Sequence, residues 1–274
     1  MRRSFKVFRN KAALAGLLTI LFFIFIAVFA EFIAPYSPYE QNLADRLQPP
    51  SKSHLLGTDD LGRDILSRII YGARISLAIG LISVALALGV GVSAGLVSAY
   101  YGGIVDTLLM RLFDVMLAFP TILLAMAIMA ALGPDLENAM IAVGIVNIPT
   151  FARIVRASAL IVKEQEYVMA AQALGQSNSK IIFRHILPNI VGPITVQVTL
   201  SYGGSILNAA GLGFLGMGAQ PPTPEWGAML SQARSFIISA PWTVTFPGIA
   251  IFLSVLGFNI LGDGLRDFLD PRLR

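Results

Sequence analysis

Residues 166–189 read EYVMAAQALGQSNSKIIFRHILPN and form the one long polar island in the C-terminal half of a very apolar chain. Tyr167, Ala170, Ala171 and Leu174 recur at i, i+3, i+4 and i+7, the spacing of one helical face. Most of these side chains are small, so another surface could approach the backbone closely. Gly175 breaks the helix. Gln176, Ser177, Asn178 and Ser179 then make a polar turn able to cap a second helix. That helix carries Ile181, Ile182, Phe183 and Ile186, and Pro188 is expected to end it. The stretch therefore predicts a helix–Gly–helix knuckle suited to docking a partner. The same spacing also suits an ordinary amphipathic hairpin with no partner.

On both sides of the knuckle the chain is built for lipid. Only 13% of its 274 residues are charged, against about 25% in soluble domains. The mean hydropathy is +0.73. The apolar residues fall in long runs, which predicts an all-α polytopic membrane protein with six transmembrane helices. The runs cover about 12–30, 75–99, 112–132 with Pro120 inside, 139 onward past Pro149, 190–218 and 242–261. The first run follows a basic segment of Arg2, Arg3, Lys6, Arg9 and Lys11. It exceeds the ~7–15 residues of a cleaved signal, so a retained anchor is expected, although Val28-Phe29-Ala30 would also pass as a cleavage site. With six spans and the N-terminus inside, 14 of the 20 Lys and Arg fall on the inner side. The exceptions are Arg46, Lys52, Arg63, Arg68, Arg74 and Arg234. This bias predicts cytoplasmic N- and C-termini and a cytoplasmic knuckle. The expected divisions are 1–33, cytoplasmic N-terminus and first helix; 34–72, an extracytoplasmic segment; 73–264, the transmembrane core with the cytoplasmic loop 164–189; and 265–274, a cytoplasmic tail.

Several chemistries have no residues to carry them. There is no cysteine, and the two histidines, His54 and His185, lie far apart. No metal site is therefore expected. No GxxxxGK[ST] phosphate loop is present, and neither GxSxG nor HExxH occurs. The chain is not expected to be an enzyme. Its net charge of +4 is explained by the inner-side bias rather than by nucleic acid. Polar residues within the spans, Asn147, Gln197, Asn208 and Asn259, either bond neighbouring helices or line a passage for a polar solute. Asp114 is expected to pair with Arg111 at i,i+3, with a pathway role as the alternative. Gly91 and Gly95 have GxxxG spacing, which fits either close helix packing or the general abundance of glycine in membrane helices. In LLGTDDLGRDILSRIIYGARISL, residues 55–77, ion pairs are expected among Asp59, Asp60, Arg63, Asp64, Arg68 and Arg74 on an interfacial helix. Residues 219–230 form a Pro-rich loop. There Pro221, Pro222, Pro224 and an interfacial Trp226 are candidates for contact with a partner, or form a plain structural lip.

Four segments in order carry a family resemblance. Ala170-Ala171, three residues, Gly175 and then Leu187-Pro188 resemble the EAA loop of ABC importer permeases. Met169 stands where that pattern usually has Glu, and His185 where it has an aliphatic residue. These departures, with RHILPN, GTDDLGRDILSRIIYGARISL, GLGFLGMGAQPPTPEWG after Ala210, and FNILGDGLRDFLDPR at the end, resemble the C-type subunit of dipeptide and oligopeptide importers. The resemblance implies a type I ABC importer permease fold in a bacterial inner membrane. It implies four kinds of partner: a homologous B-type permease, two ABC ATPase subunits, an extracytoplasmic solute-binding protein and the lipid bilayer. ATP-Mg would sit on the ATPases and no cofactor on this chain. Glu166, Tyr167, Ala170, Ala171, Leu174, Gly175 and Pro188 would couple to the ATPases. Relatives in the same branch carry nickel chelates, haem or other small solutes. The rival readings are an ATP-independent secondary transporter, which usually shows midplane ionisable residues and internal repeats, and a membrane scaffold.

Overall fold

The structure, a computed structural model, describes residues 11–269. The basic residues expected at 2–9 and the tail residues Arg272 and Arg274 lie outside that range. The described chain is helical: α1 (Lys11–Val28), α2 (Ala30–Ile33), α3 (Ile65–Tyr101), α4 (Gly103–Leu117), α5 (Thr121–Leu132), α6 (Leu136–Lys163), α7 (Glu166–Ala173), α8 (Asn178–Ile181), α9 (Leu187–Phe214), α10 (Trp226–Ala233) and α11 (Trp242–Leu269). Helix α3 starts inside the expected outer segment 34–72, and α11 runs on past residue 265.

Among the described residues, five helical stretches are long and apolar enough to cross a membrane, and a sixth crossing exists as the pair α4–α5. That pair bends by 97°. The third span expected over 112–132 is therefore broken at Phe119-Pro120. Proline brings no N–H, and its ring drives the preceding residue out of the helical region.

Helix α3 begins where Asp64 accepts hydrogen bonds from the Ser67 amide (2.8 Å) and hydroxyl (2.7 Å), a side-chain N-cap. It ends at Gly102, where φ is +65°. Between these points it lies along α6. A Cβ on Gly91 would stand 2.6 Å from Phe151 Cβ, and one on Gly95 2.5 Å from the Ala152 carbonyl. The GxxxG spacing is thus a contact seam. Gly89 faces open space. Gly95→Val should cost about 1–3 kcal/mol by overpacking, while Gly89→Val should stay within about 0.5 kcal/mol. Thermal unfolding of the two variants in mild detergent checks the contrast.

At the end of the bundle away from the knuckle, residues 34–64 fold over the helices. The second half of the expected interfacial helix is the start of α3, while residues 59–64 form a turn leading into it, and the arginines are buried rather than interfacial: Arg63 is 2% and Arg68 1% exposed. Arg63 Nε pairs with Asp59 at 2.6 Å and its Nη2 donates to Gln232 Oε1 at 2.9 Å. Arg68 Nη1 donates to the carbonyls of Pro38 (3.1 Å) and Pro222 (3.4 Å). Asp64 faces His54 Nδ1 at 3.0 Å. The cluster stitches the 34–64 segment to α3, α10 and the Pro-rich loop, which an exposed ion pair could not do.

Candidate functional site

The knuckle forms as a turn with two helical arms, and its geometry decides which residues a partner could touch. Helix α7 buries Val168 and Ala171 against Leu96, Ala99, Val155 and Ala159 at the ends of α3 and α6. Ile181, Ile182 and Ile186 join the same cluster. The opposite side faces outward: Glu166, Tyr167, Ala170, Leu174 and Gly175 are exposed, Leu174 at 81%. Ala171 is 4% exposed, so it is a footing residue and not a contact residue. One helical face cannot both seat the knuckle and meet a partner, and the hydrophobic footing takes Ala171. Gly175 adopts φ +72° with nothing within 4 Å of a would-be Cβ, the left-handed turn residue that glycine serves at least cost. His185 Nε2 lies 3.0 Å from Gln176 Oε1 and closes the turn across its base.

Pro188 does not end the second arm. The chain stays helical from Asn178 to Phe214 through a π turn at Ile182–Ile186, where the Leu187 amide reaches back to the Ile182 carbonyl. Pro188 falls in the first turn of α9. There the wider turn has already displaced the regular ladder, and a missing N–H is tolerated. The Asn189 side chain donates to the His185 carbonyl at 2.7 Å.

Two contacts that the sequence pattern did not signal fix the knuckle to the bundle. Lys163 Nζ donates to the carbonyls of Ala99 (3.1 Å) and Tyr100 (2.7 Å), capping the end of α3 from the end of α6. Tyr100 Oη donates to Asn178 Oδ1 at 2.8 Å, tying α3 to the start of α8. Lys163 reads as an inner-side marker in the sequence, and only the packing gives it this second role.

Of the candidate contact residues in the Pro-rich loop, Pro221 and Pro222 are exposed, while Pro224 and Trp226 are buried. Trp226 is 0% exposed. Its Nε1 donates to the Ile69 carbonyl at 3.1 Å, and its ring meets Phe23 edge-on at 5.6 Å. A Cβ on Gly72 would lie 2.8 Å from the indole, so the missing side chain makes the slot. The expectation of an interfacial Trp226 open to a partner is corrected, and with it that of Pro224. Next to the indole, Glu225 caps α10 by accepting from the amides of Gly227 (2.8 Å) and Ala228 (2.7 Å). Burial raises its carboxyl above the usual range, and the hydrogen bonds from these two amides offset only part of that rise.

The polar residues inside the spans separate. Asn147 Nδ2 donates to Ser205 Oγ on α9 at 3.2 Å and to the Val143 carbonyl at 3.0 Å, the helix-joining role. Gln197 bonds Ser201 on its own helix at 2.7 Å. Asn208 and Asn259 are half-buried, and their side chains make no hydrogen bond among the described residues. Asp114 pairs with Arg153 of α6 and not with Arg111. Arg111 and Asp114 line the same cleft between α4 and α6, and Arg153 across that cleft is the partner Asp114 takes.

Comparison with known proteins follows this geometry. Residues 87–274 match the family model described as binding-protein-dependent transport system inner membrane component. Residues 2–50 match the N-terminal TM domain of oligopeptide transport permease C. The chain is 56% identical over 274 residues to the dipeptide transport system permease protein DppC of Alkalihalophilus pseudofirmus, covering 100% of this chain and 90% of that one. It is 48% identical over 272 residues to the protein of the same name in Haemophilus influenzae, covering 97% and 92%. It is 49% identical over 267 residues to the glutathione transport system permease protein GsiD of Escherichia coli O6:K15:H31, covering 97% and 88%. Among solved structures, an inward-facing conformation of the MetNI methionine ABC transporter superposes with a TM-score of 0.62 at 17% identity, covering 74% of this chain and 97% of that one.

Proposed function

Because the chain belongs to the binding-protein-dependent transport system inner membrane components, it is a permease subunit, and we propose that it forms half of the path of an importer for dipeptides and short oligopeptides. ATP-Mg is bound and hydrolysed on two separate ATPase subunits. A homologous permease supplies the other half of the path, and an extracytoplasmic solute-binding protein delivers the solute. The termini and the knuckle lie in the cytoplasm, a placement supported by the Lys and Arg bias. The relatives named for dipeptides support the substrate class. Those named for glutathione, itself a tripeptide, favour the same class at slightly greater length.

The observation that carries the coupling role is the division of the knuckle into two faces. Val168, Ala171 and Ile181 anchor it, while Tyr167, Ala170, Leu174 and Gly175 stand clear of the bundle. An exposed apolar ridge on a rigid footing is a surface for another protein. Its energetic role is differential: the ATPases shift the permease only by docking better to one state than to the other. The cysteine-free chain allows a direct test with Leu174→Cys. In the co-expressed complex it should cross-link to an ATPase with a yield that changes with ATP. A folded, membrane-inserted chain that brings down no ATPase would overturn the reading and favour a secondary transporter.

A further inference from the structure

We propose that the cleft between α4 and α6 is the aqueous wall of the solute path at its knuckle end, and that the Arg111 guanidinium meets the carboxylate of the passing solute there. This rests on the importer reading above.

Two ion pairs bridge the helices. Arg156 holds Asp106 with Nε at 2.5 Å and Nη2 at 2.6 Å, and Asp106 also accepts from the Ser98 hydroxyl. Farther from the knuckle, Arg153 pairs with Asp114. Arg111 lines the same cleft and makes no ion pair among the described residues. Three guanidiniums therefore face two carboxylates, and one positive charge is left for a ligand.

Depth and exposure say what fills the cleft. Asp114 lies eleven residues into α4 and Arg153 ten residues from the end of α6, so the pair sits about 15 Å along each helix axis from the knuckle end. The 28 residues of α6 span roughly 42 Å at the usual rise, against a hydrocarbon core of ~30 Å. The pair therefore lies just inside the knuckle-side edge of the span, next to the segment that the Lys and Arg count places on the inner side. It is open all the same: the side chains of Arg153 and Asp114 are 50% and 44% exposed. Ions inside a span face a water-filled cavity or a protein neighbour, not acyl chains. Helix α4 carries both sides of this argument. Thr107, Arg111 and Asp114 make a polar flank over the cleft. Ile104, Leu108, Leu112 and Val115 make an exposed apolar flank away from it. On α6 the polar side continues past Arg153 to Thr150, toward the other end of the bundle. A lipid headgroup site would need several unpaired cations, and the two aspartates leave one. A peptide offers one carboxylate.

The test uses the cysteine-free chain in the whole complex, reconstituted in phosphatidylcholine vesicles with its ATPases and binding protein. Thr107→Cys on the polar flank and Leu108→Cys on the apolar flank are exposed to a charged, membrane-impermeant methanethiosulfonate on the side where ATP acts. Thr107→Cys should react at least tenfold faster, and dialanine under turnover should slow it at least twofold. Equal rates on the two flanks, in vesicles that do accumulate dialanine, would overturn the cleft and leave the importer reading intact. Slowing by added phosphatidylglycerol and not by dialanine would assign the site to lipid and also overturn it. The flank contrast in vesicles that take up no dialanine would instead sink the substrate reading, and with it the role of Arg111.

Discussion

A Gly175→Arg chain is expected to insert, fold and assemble, yet to lose coupled uptake by on the order of 100-fold. The position makes two separate demands. At φ +72° any side chain carries left-handed strain of about 1–2 kcal/mol. The strain falls on an exposed turn, where nothing lies within 4 Å, so the bundle itself has no reason to unfold. The larger effect is at the docking surface. A long cation at the apex of the knuckle intrudes on a close contact, and overpacking of that kind costs about 1–3 kcal/mol. The upper part of that range reaches the ~2.7 kcal/mol that corresponds to 100-fold, whereas the turn strain is the same docked and undocked. Gly175→Ala separates the two demands, because it keeps the strain and omits the bulk, and it should retain most of the uptake. ATP-driven accumulation of a labelled dipeptide in vesicles, normalised to inserted protein, is the measurement. Normal uptake by the Arg chain would remove the knuckle from the coupling surface.

Trp226→Ala should have the largest effect on stability, about 3–5 kcal/mol. The indole fills a slot between α1, α3 and α10, framed by Phe23, Ile69 and Gly72. Its removal leaves a cavity that Gly72 has no side chain to fill. The loss should appear as early unfolding in mild detergent and as poor recovery from the membrane. Pro221→Ala, five residues away and exposed, should shift stability by no more than about 0.5 kcal/mol. Similar losses in the two variants would mean that Trp226 is not a keystone of this end of the bundle.

The spans were legible because a run of apolar residues long enough to cross is itself the physical requirement. The close seam at Gly91 and Gly95 was legible for a related reason: small residues four apart leave a groove wherever they fall on a helix. What escaped depends on residues far apart in sequence. Trp226 after a run of prolines has the composition of an interfacial anchor, and the slot that buries it is made by Gly72, over 150 residues earlier. Asp114 has an arginine at i−3, and nothing local says that Arg153 of another helix wins. Pro120 and Pro188 show the same ambiguity from opposite sides. One breaks its helix by 97°, and the other lies within a continuous helix because a π turn precedes it. A proline removes a donor in both cases, and the packing around it decides the angle. On the knuckle, the periodicity located a helix and left open which half of its circumference was free. The footing of Val168 and Ala171 answers that, and reassigns Ala171.

The π turn before α9 has a mechanical consequence. One shoulder of the knuckle is bolted: Lys163 and Tyr100 clamp α6, α3 and α8 together, over a dry apolar pad. The other shoulder leaves through a wide turn followed by Pro188 and Pro193, which remove two amide donors from the first turns of α9. A push delivered at Gly175 therefore does not divide equally. The stiff shoulder carries the displacement into the α3–α6 pair as one strut, and the compliant shoulder takes up the change of angle. On the proposed coupling role the knuckle would act as a rocker arm with its pivot on the α9 side, and its stroke would reach α6, one wall of the ionic cleft.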